Sequence, residues 1–184
     1  MKLVSVNVGE PRLIEYNGGS ISTGIFKDAV AGKIKVGRLN LEGDRQADLT
    51  VHGGVKKAVY IYPSEHYEYW RTELPGVDLP WGAFGENLST EGLRETDVRP
   101  GDRLLIGTAE FEVTMPRYPC SKLGVRFGRT DVIRRFAKSG RSGFYVSVTR
   151  TGEIESGDEI IMIPDGDGRT IATTFTKRMS RARE

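Results

Sequence analysis

Along much of the chain apolar and polar residues alternate with the period of two that marks half-buried strands. Lys2–Val8 sets Leu3, Val4, Val6 and Val8 among polar neighbours, and Ala109–Met115 alternates cleanly. In Gly143–Thr149 the residues Phe144, Val146 and Val148 face one way, and Tyr145, Ser147 and Thr149 the other. Ala58–Tyr62, Arg103–Ile106 and Glu159–Ile163 are short apolar runs of the same kind, and Ile34–Leu41 reads as a strand bent or bulged at Gly37. Two segments switch to the helical period. After Pro63, residues Tyr67, Trp70 and Leu74 share one face before Pro75-Gly76 ends the turn. Thr130 is placed to cap a second helix, in which Val132, Ile133, Phe136 and Ala137 form the stripe and Gly140 the stop. Many short strands with 23 glycines predict a mainly β chain, a sandwich or barrel with a few short helices.

A phrase recurs: Pro100-Gly-Asp-Arg-Leu-Leu-Ile106 resembles Ser156-Gly-Asp-Glu-Ile-Ile-Met162. A Gly-Asp turn feeding a buried strand twice explains it. The composition changes after Pro164. Residues 1–164 read as one β-barrel domain, and 165–184 as a basic tail. In that tail Asp-Gly-Asp-Gly makes a turn, 170–176 an edge strand, and Lys177, Arg178, Arg181 and Arg183 a solvated, disordered end, with a partner or homodimer contact as the alternative.

The 27 basic and 25 acidic side chains nearly cancel, to a net +2, which argues against a nucleic-acid-binding surface. One cysteine allows no internal disulfide. No apolar run is long enough to cross a bilayer, and the N-terminal run is too short for a secretory signal. The expectation is a cytoplasmic protein.

Three stretches are candidates for chemistry. The sole cysteine, Cys120, follows Pro116-Arg-Tyr-Pro119. A free cysteine is ordinarily a small buried hydrophobe. Here two prolines break the strand before it, Arg117 and Lys122 supply positive charge, and Ser121-Lys-Leu suits the opening of a helical turn. These surroundings favour a thiolate, a nucleophile and a ligand for soft metals. The stretch 41–57 is dense in polar groups: His52 precedes Gly53-Gly54, whose backbone donors suit an anion, and Arg45, Lys56 and Lys57 suit a phosphate. A glycine turn beside a hydrogen-bonded histidine is the plainer reading, and the spacing is not that of a Walker A loop. In Trp81–Leu93, Asn87 offers a paired donor and acceptor for a heterocycle edge, or caps a turn, and Glu86 suits a cation. His66, the other histidine, is expected on the exposed side of the first helix. With Cys120 the two histidines fall short of a closed zinc site.

In order, Val51-His-Gly-Gly, Lys57-Ala-Val-Tyr-Ile-Tyr62, Gly82-Ala-Phe-Gly-Glu-Asn-Leu88, Gly101-Asp-Arg-Leu-Leu-Ile-Gly107 and Pro116-Arg-Tyr-Pro-Cys120 resemble the MOSC domain, the C-terminal domain of molybdenum cofactor sulfurases, in its stand-alone bacterial YiiM-like form. The resemblance spans roughly residues 1 to 164 and implies a MOSC-type antiparallel β-barrel. It implies a pterin-bound molybdenum cofactor, with Cys120 as metal ligand and catalytic group, and Arg45, His52, Gly53, Gly54, Lys57, Asn87 and Arg117 as cofactor contacts. The implied activity is reduction of N-hydroxylated small molecules with electrons from a separate donor protein. The alternatives are a sulfur carrier that takes a persulfide on Cys120 from a cysteine desulfurase, and a non-catalytic cofactor carrier.

Overall fold

The computed structural model describes residues 1–16, 18–47 and 53–181. In chain order its elements are β1 (Lys2–Val8), β2 (Arg12–Tyr16), β3 (Gly19–Thr23), β4 (Asp28–Val30), β5 (Ile34–Val36), a 3-10 turn (Val55–Lys57), β6 (Val59–Pro63), α1 (His66–Glu73), β7 (Leu88–Glu91), β8 (Arg103–Ile106), β9 (Ala109–Pro116), α2 (Ser121–Phe127), α3 (Asp131–Ser139), β10 (Phe144–Arg150), β11 (Gly152–Ile154), β12 (Ile160–Ile163) and α4 (Ile171–Arg181). The mainly β expectation holds.

One eight-stranded sheet carries the fold, in the order β12-β8-β9-β10-β6-β7-β1-β4. Its pairs are antiparallel except β6–β7, whose parallel register requires the crossover through α1. The repeated Gly-Asp turns feed β8 and β12, and these two strands pair with each other. The sheet curls until its ends meet: Lys2 bridges Glu159, the Leu3 N–H donates to the Asp158 carbonyl at 2.9 Å, and the Ile160 N–H to the Met1 carbonyl at 2.9 Å. This seam is a short contact rather than a full ladder, so the barrel is only partly closed.

Alternation decides what fills each side. Leu3, Val6, Ile61, Phe111, Val113 and Phe144 point inward and are fully buried. Residues on the other face of β6 join a second cluster under the helices, built from Tyr62, Tyr67, Trp70, Phe84 and Phe136. Tyr67, Trp70 and Leu74 are all buried, as their helical spacing predicts.

The structure corrects three expectations. The strand expected over Ile34–Leu41 stops at Val36; Gly37 and Asn40 close a turn, and only a Val36–Leu41 bridge continues the pairing. The edge strand expected over 170–176 is the start of α4. Ile171 and Phe175, four positions apart, bury one helical stripe, and the Thr170 hydroxyl accepts the Thr173 N–H at 3.3 Å. The Ile171 N–H donates to the Val98 carbonyl, which docks the helix on the barrel. Finally, His66 is not exposed. Its imidazole faces the buried Glu95 carboxylate at 2.8 Å, and Glu95 also accepts the Gly143 N–H at 2.6 Å.

Candidate functional site

β6 and β10 lie side by side with Tyr60 opposite Tyr145 in register. Both side chains point away from the barrel interior, so they meet across the strands with ring centroids 5.3 Å apart. β9 ends at Pro116, and the next residue, Arg117, turns onto the same face. Its guanidinium lies 5.0 Å from the Tyr60 ring centroid and 5.5 Å from that of Phe136. Arg117 is only 6% exposed, and its Nη1 is buried with no hydrogen-bond partner. A guanidinium keeps its charge under any ordinary condition, so this is a fixed buried cation with an open donor. Burial pushes both neighbouring phenols above their ordinary pKa, with Arg117 offsetting only part, so Tyr60 and Tyr145 are neutral here.

Cys120 follows at once. It is the extended residue just before α2, with φ −141° and ψ 167°, half-buried, and its carbonyl accepts the Leu123 N–H. Arg117, Cys120, Lys122, Tyr60 and Tyr145 line one solvent-open cleft. Arg45, Lys57, Asn87, Lys27 and Asp44 line it too. Five of the expected site residues, Arg45, Lys57, Asn87, Arg117 and Cys120, are therefore brought together by four separate parts of the chain. Gly53 and Gly54 stand back from the lining, and the Gly54 N–H is taken by the Gln46 side chain at 3.2 Å. His52 lies outside the described residues.

The side chains differ in what they leave open for a ligand. Arg45 is exposed and loosely paired with Glu10 at 3.6 Å. Asn87 is buried, and its amide is engaged within the protein: its oxygen accepts the Tyr60 N–H at 3.1 Å, and its nitrogen donates to Asp44 at 3.0 Å and to the Asn7 carbonyl at 3.3 Å. It thus braces the cleft wall. Glu86 meets no cation among the described residues; its buried carboxyl accepts from the Tyr67 hydroxyl, the Gly82 and Phe84 N–H groups and Ser89, and so ties down the 82–89 loop.

Sequence reasoning missed the Lys27–Asp44 pair, an ion pair with side chains 6% and 2% exposed, in which Asp44 also accepts the Gly9 N–H at 3.0 Å. Nothing in the sequence around Lys27 marks it, because its partner is 17 positions away. Tyr60 and Tyr145 were also missed as lining residues, although their outward positions on alternating strands carry the signal. Among the described residues no cluster of three or more His, Cys, Asp or Glu is arranged to hold a metal. A metal here would need most of its ligands from an organic group, with Cys120 as the single soft protein ligand. Cations, an unpartnered buried guanidinium nitrogen and an accessible thiol in one cleft fit an anionic group of that kind.

Known proteins share this sequence and fold. Residues 48–161 match the model of the MOSC domain. YflK of Bacillus subtilis is 38% identical over 178 residues, covering 97% of this chain and 80% of that protein. YiiM of Escherichia coli is 39% identical over 153 residues, covering 82% and 68%. A Gibberella moniliformis protein named a reductase is 37% identical over 149 residues, covering 79% of this chain but only 26% of its own length. The crystal structure of YiiM from Geobacillus stearothermophilus superimposes with a TM-score of 0.80 at 34% identity, covering 100% of this chain and 86% of that one. The fold, the cleft and these relatives together place the chain in the MOSC domain family, as a YiiM-like member.

Proposed function

We propose that the cleft binds a pterin-bound molybdenum cofactor through Cys120, and that the protein reduces N-hydroxylated compounds to their amino forms. The observation that carries this reading is the Arg117 Nη1, buried without a partner at the cleft that presents the Cys120 thiol. An unmet buried donor is costly, by about 1–3 kcal/mol, and an anionic ligand that reached it would remove that cost. Arg117 would hold the anionic part of the cofactor, with Lys57, Lys122 and Arg45 adding positive charge and Cys120 supplying the soft ligand. Bound there, the cofactor would supply two-electron oxygen-atom removal. The net change is R–NH–OH plus two electrons and two protons to R–NH2 plus water, with the electrons delivered by a reduced electron-transfer protein. The chain's own part is to orient, to shield and to donate. Tyr60 and Tyr145 are neutral phenols at the cleft wall. The Tyr60 hydroxyl is committed to the Ser142 carbonyl at 2.8 Å, which leaves Tyr145 the better placed to donate to a polar substrate group. The name of the fungal relative supports a reductase over a cofactor carrier.

The test uses protein from a host that makes the cofactor. Wild type should retain molybdenum and, with reduced viologen as reductant, convert an amidoxime to the amidine or an N-hydroxylated base to the amine, and Cys120→Ser should lose both. Metal-free wild type that instead carries cyanide-releasable sulfur on Cys120 would replace this reading with the sulfur carrier.

A further inference from the structure

The charge of this chain is unevenly placed. Between Arg117 and Arg141 stand eight basic residues and a single acidic one, Asp131, so that this segment is net +7 in a chain of net +2. The rest of the molecule is therefore net acidic. Arg134, Arg135 and Lys138, with Arg141 beside them, gather around α3. A groove between α1 and α3 is lined by Tyr69, Glu73, Arg134, Arg135 and Lys138, and the Arg141 guanidinium sits 3.8 Å from the Tyr69 ring centroid at its edge. Lys138 also borders a second groove, between α3 and α4, lined by Gly140, Phe175, Thr176 and Met179. On α4 the residues Lys177, Arg178 and Arg181 are exposed. Arg135 is neutralised by Asp131 and Glu73, but Arg134 and Lys138 are exposed and make no ion pair or hydrogen bond among the described residues.

This surface reaches the site. Arg178 lies 4.4 Å from the centroid of Tyr118, which stacks on Phe175 at 5.8 Å, and Tyr118 is two residues ahead of Cys120. With one cysteine in the chain, there is no set of thiolates to hold an iron–sulfur cluster. In the reductase reading the reducing equivalents are delivered by an electron-transfer protein.

We propose that the α3–α4 surface, centred on Arg134, Lys138 and Arg178, docks a small acidic electron-transfer protein beside the Cys120 turn. The proposal rests on the reductase reading. Clustered cations, with the apolar Tyr69 and Met179 in the grooves on either side of α3, fit an acidic protein rather than a duplex, which would need positive charge along a longer track. With a one-electron carrier, two reduced carriers are oxidised for each R–NH–OH and two protons converted to R–NH2 and water.

The test compares holo wild type with Arg134→Glu/Lys138→Glu, using a reduced acidic ferredoxin and a reduced acidic flavodoxin as donors, and viologen as the small reductant. The variant should keep the viologen rate, which also shows that it is folded. Its KM for at least one protein donor should rise about tenfold or more at low salt, and its dependence on ionic strength should flatten. Unchanged KM, or no turnover of wild type with either carrier while viologen works, overturns the proposal. Tighter binding of a 20-base-pair duplex than of either carrier overturns it in favour of nucleic acid. If viologen drives no turnover of wild type, the reductase reading fails; the docking surface then stands or falls on whether the double variant lowers carrier affinity by calorimetry.

Discussion

Arg117 rests its guanidinium on the ring of Tyr60, 5.0 Å from centroid to carbon, at the point where β9 leaves the sheet. The contact fixes a buried cation on a rigid strand, and the Arg117 N–H holds the Gly143 carbonyl at 3.4 Å. Arg117→Lys should keep the charge but lose the planar fork and the stacking. Cofactor retention should fall about tenfold or more, corresponding to ~1.5–3 kcal/mol for a hydrogen bond to a charged group. Metal content after dialysis of the variant against wild type measures this; equal retention would remove Arg117 from the site.

Gly143 adopts φ 60°, and a Cβ there would meet the Ile61 carbonyl oxygen at 2.5 Å and the Tyr60 ring at 2.7 Å. Gly143→Ala should cost at least ~1–3 kcal/mol from the backbone conformation alone, and should also displace Tyr60. Urea unfolding should show the lost stability, and the cleft's binding should weaken with it. A variant as stable as wild type would mean that the β6–β10 corner can relax.

Lys27 and Asp44 form the cleft's buried ion pair. Asp44→Asn leaves the ammonium buried without a counter-charge, at about 3–5 kcal/mol. Adding Lys27→Met should recover much of that loss, since the new amide oxygen can still accept the Gly9 N–H. Chemical denaturation of the single and double variants decides it, and a double variant no more stable than the single would show that Asp44 acts through its other bonds.

Burial raises the Glu86 carboxyl above its ordinary pKa, and the hydrogen bond from Tyr67 with those from Gly82 and Ser89 reverses only part of the shift. In the unfolded chain the group ionises near ~4.3. The native state therefore holds the proton to higher pH than the unfolded one. This contribution to stability is complete below the unfolded value and is lost as pH rises through the native value. Urea midpoints measured upward from about pH 4 should contain this falling component in wild type and lack it in Glu86→Gln. Identical slopes in the two proteins would assign the effect elsewhere.

Local pattern made the barrel readable wherever one face alone is buried. β8 and β9 begin where the alternation begins, and α1 and α3 follow their apolar stripes. The β2–β3 hairpin escaped notice because neither face is deeply buried: Arg12, Leu13 and Glu15 are exposed and Ile14 only half-buried, so there is little periodicity to see. α4 misled by composition. Ile171, Thr173, Thr174 and Thr176 are strand-favouring types, yet the pair that packs, Ile171 and Phe175, is spaced for a helix, and packing outweighs propensity.

Within the site, Cys120 and Arg117 were legible because residue type and neighbours announce them. Lys27 and Asp44 were not, because only the folded chain brings them together. Asn87 was legible as a candidate, but the sequence could not show that its amide bonds are answered by Tyr60 and Asp44.

The seam where β1 meets the start of β12 has a consequence for synthesis. The Ser156 hydroxyl donates to the Val4 carbonyl across 152 positions of chain, beside the Lys2–Glu159 bridge. A ribosome releases the N-terminal strand long before its partner exists. Until the last sixth of the polypeptide emerges, the Lys2–Leu3 end of β1, ahead of the stretch that β4 pairs, has one unpaired edge, open to mispairing with other nascent chains. Contacts this distant in sequence also make for slow folding. That edge is thus open until the clasp between β1 and β12 forms.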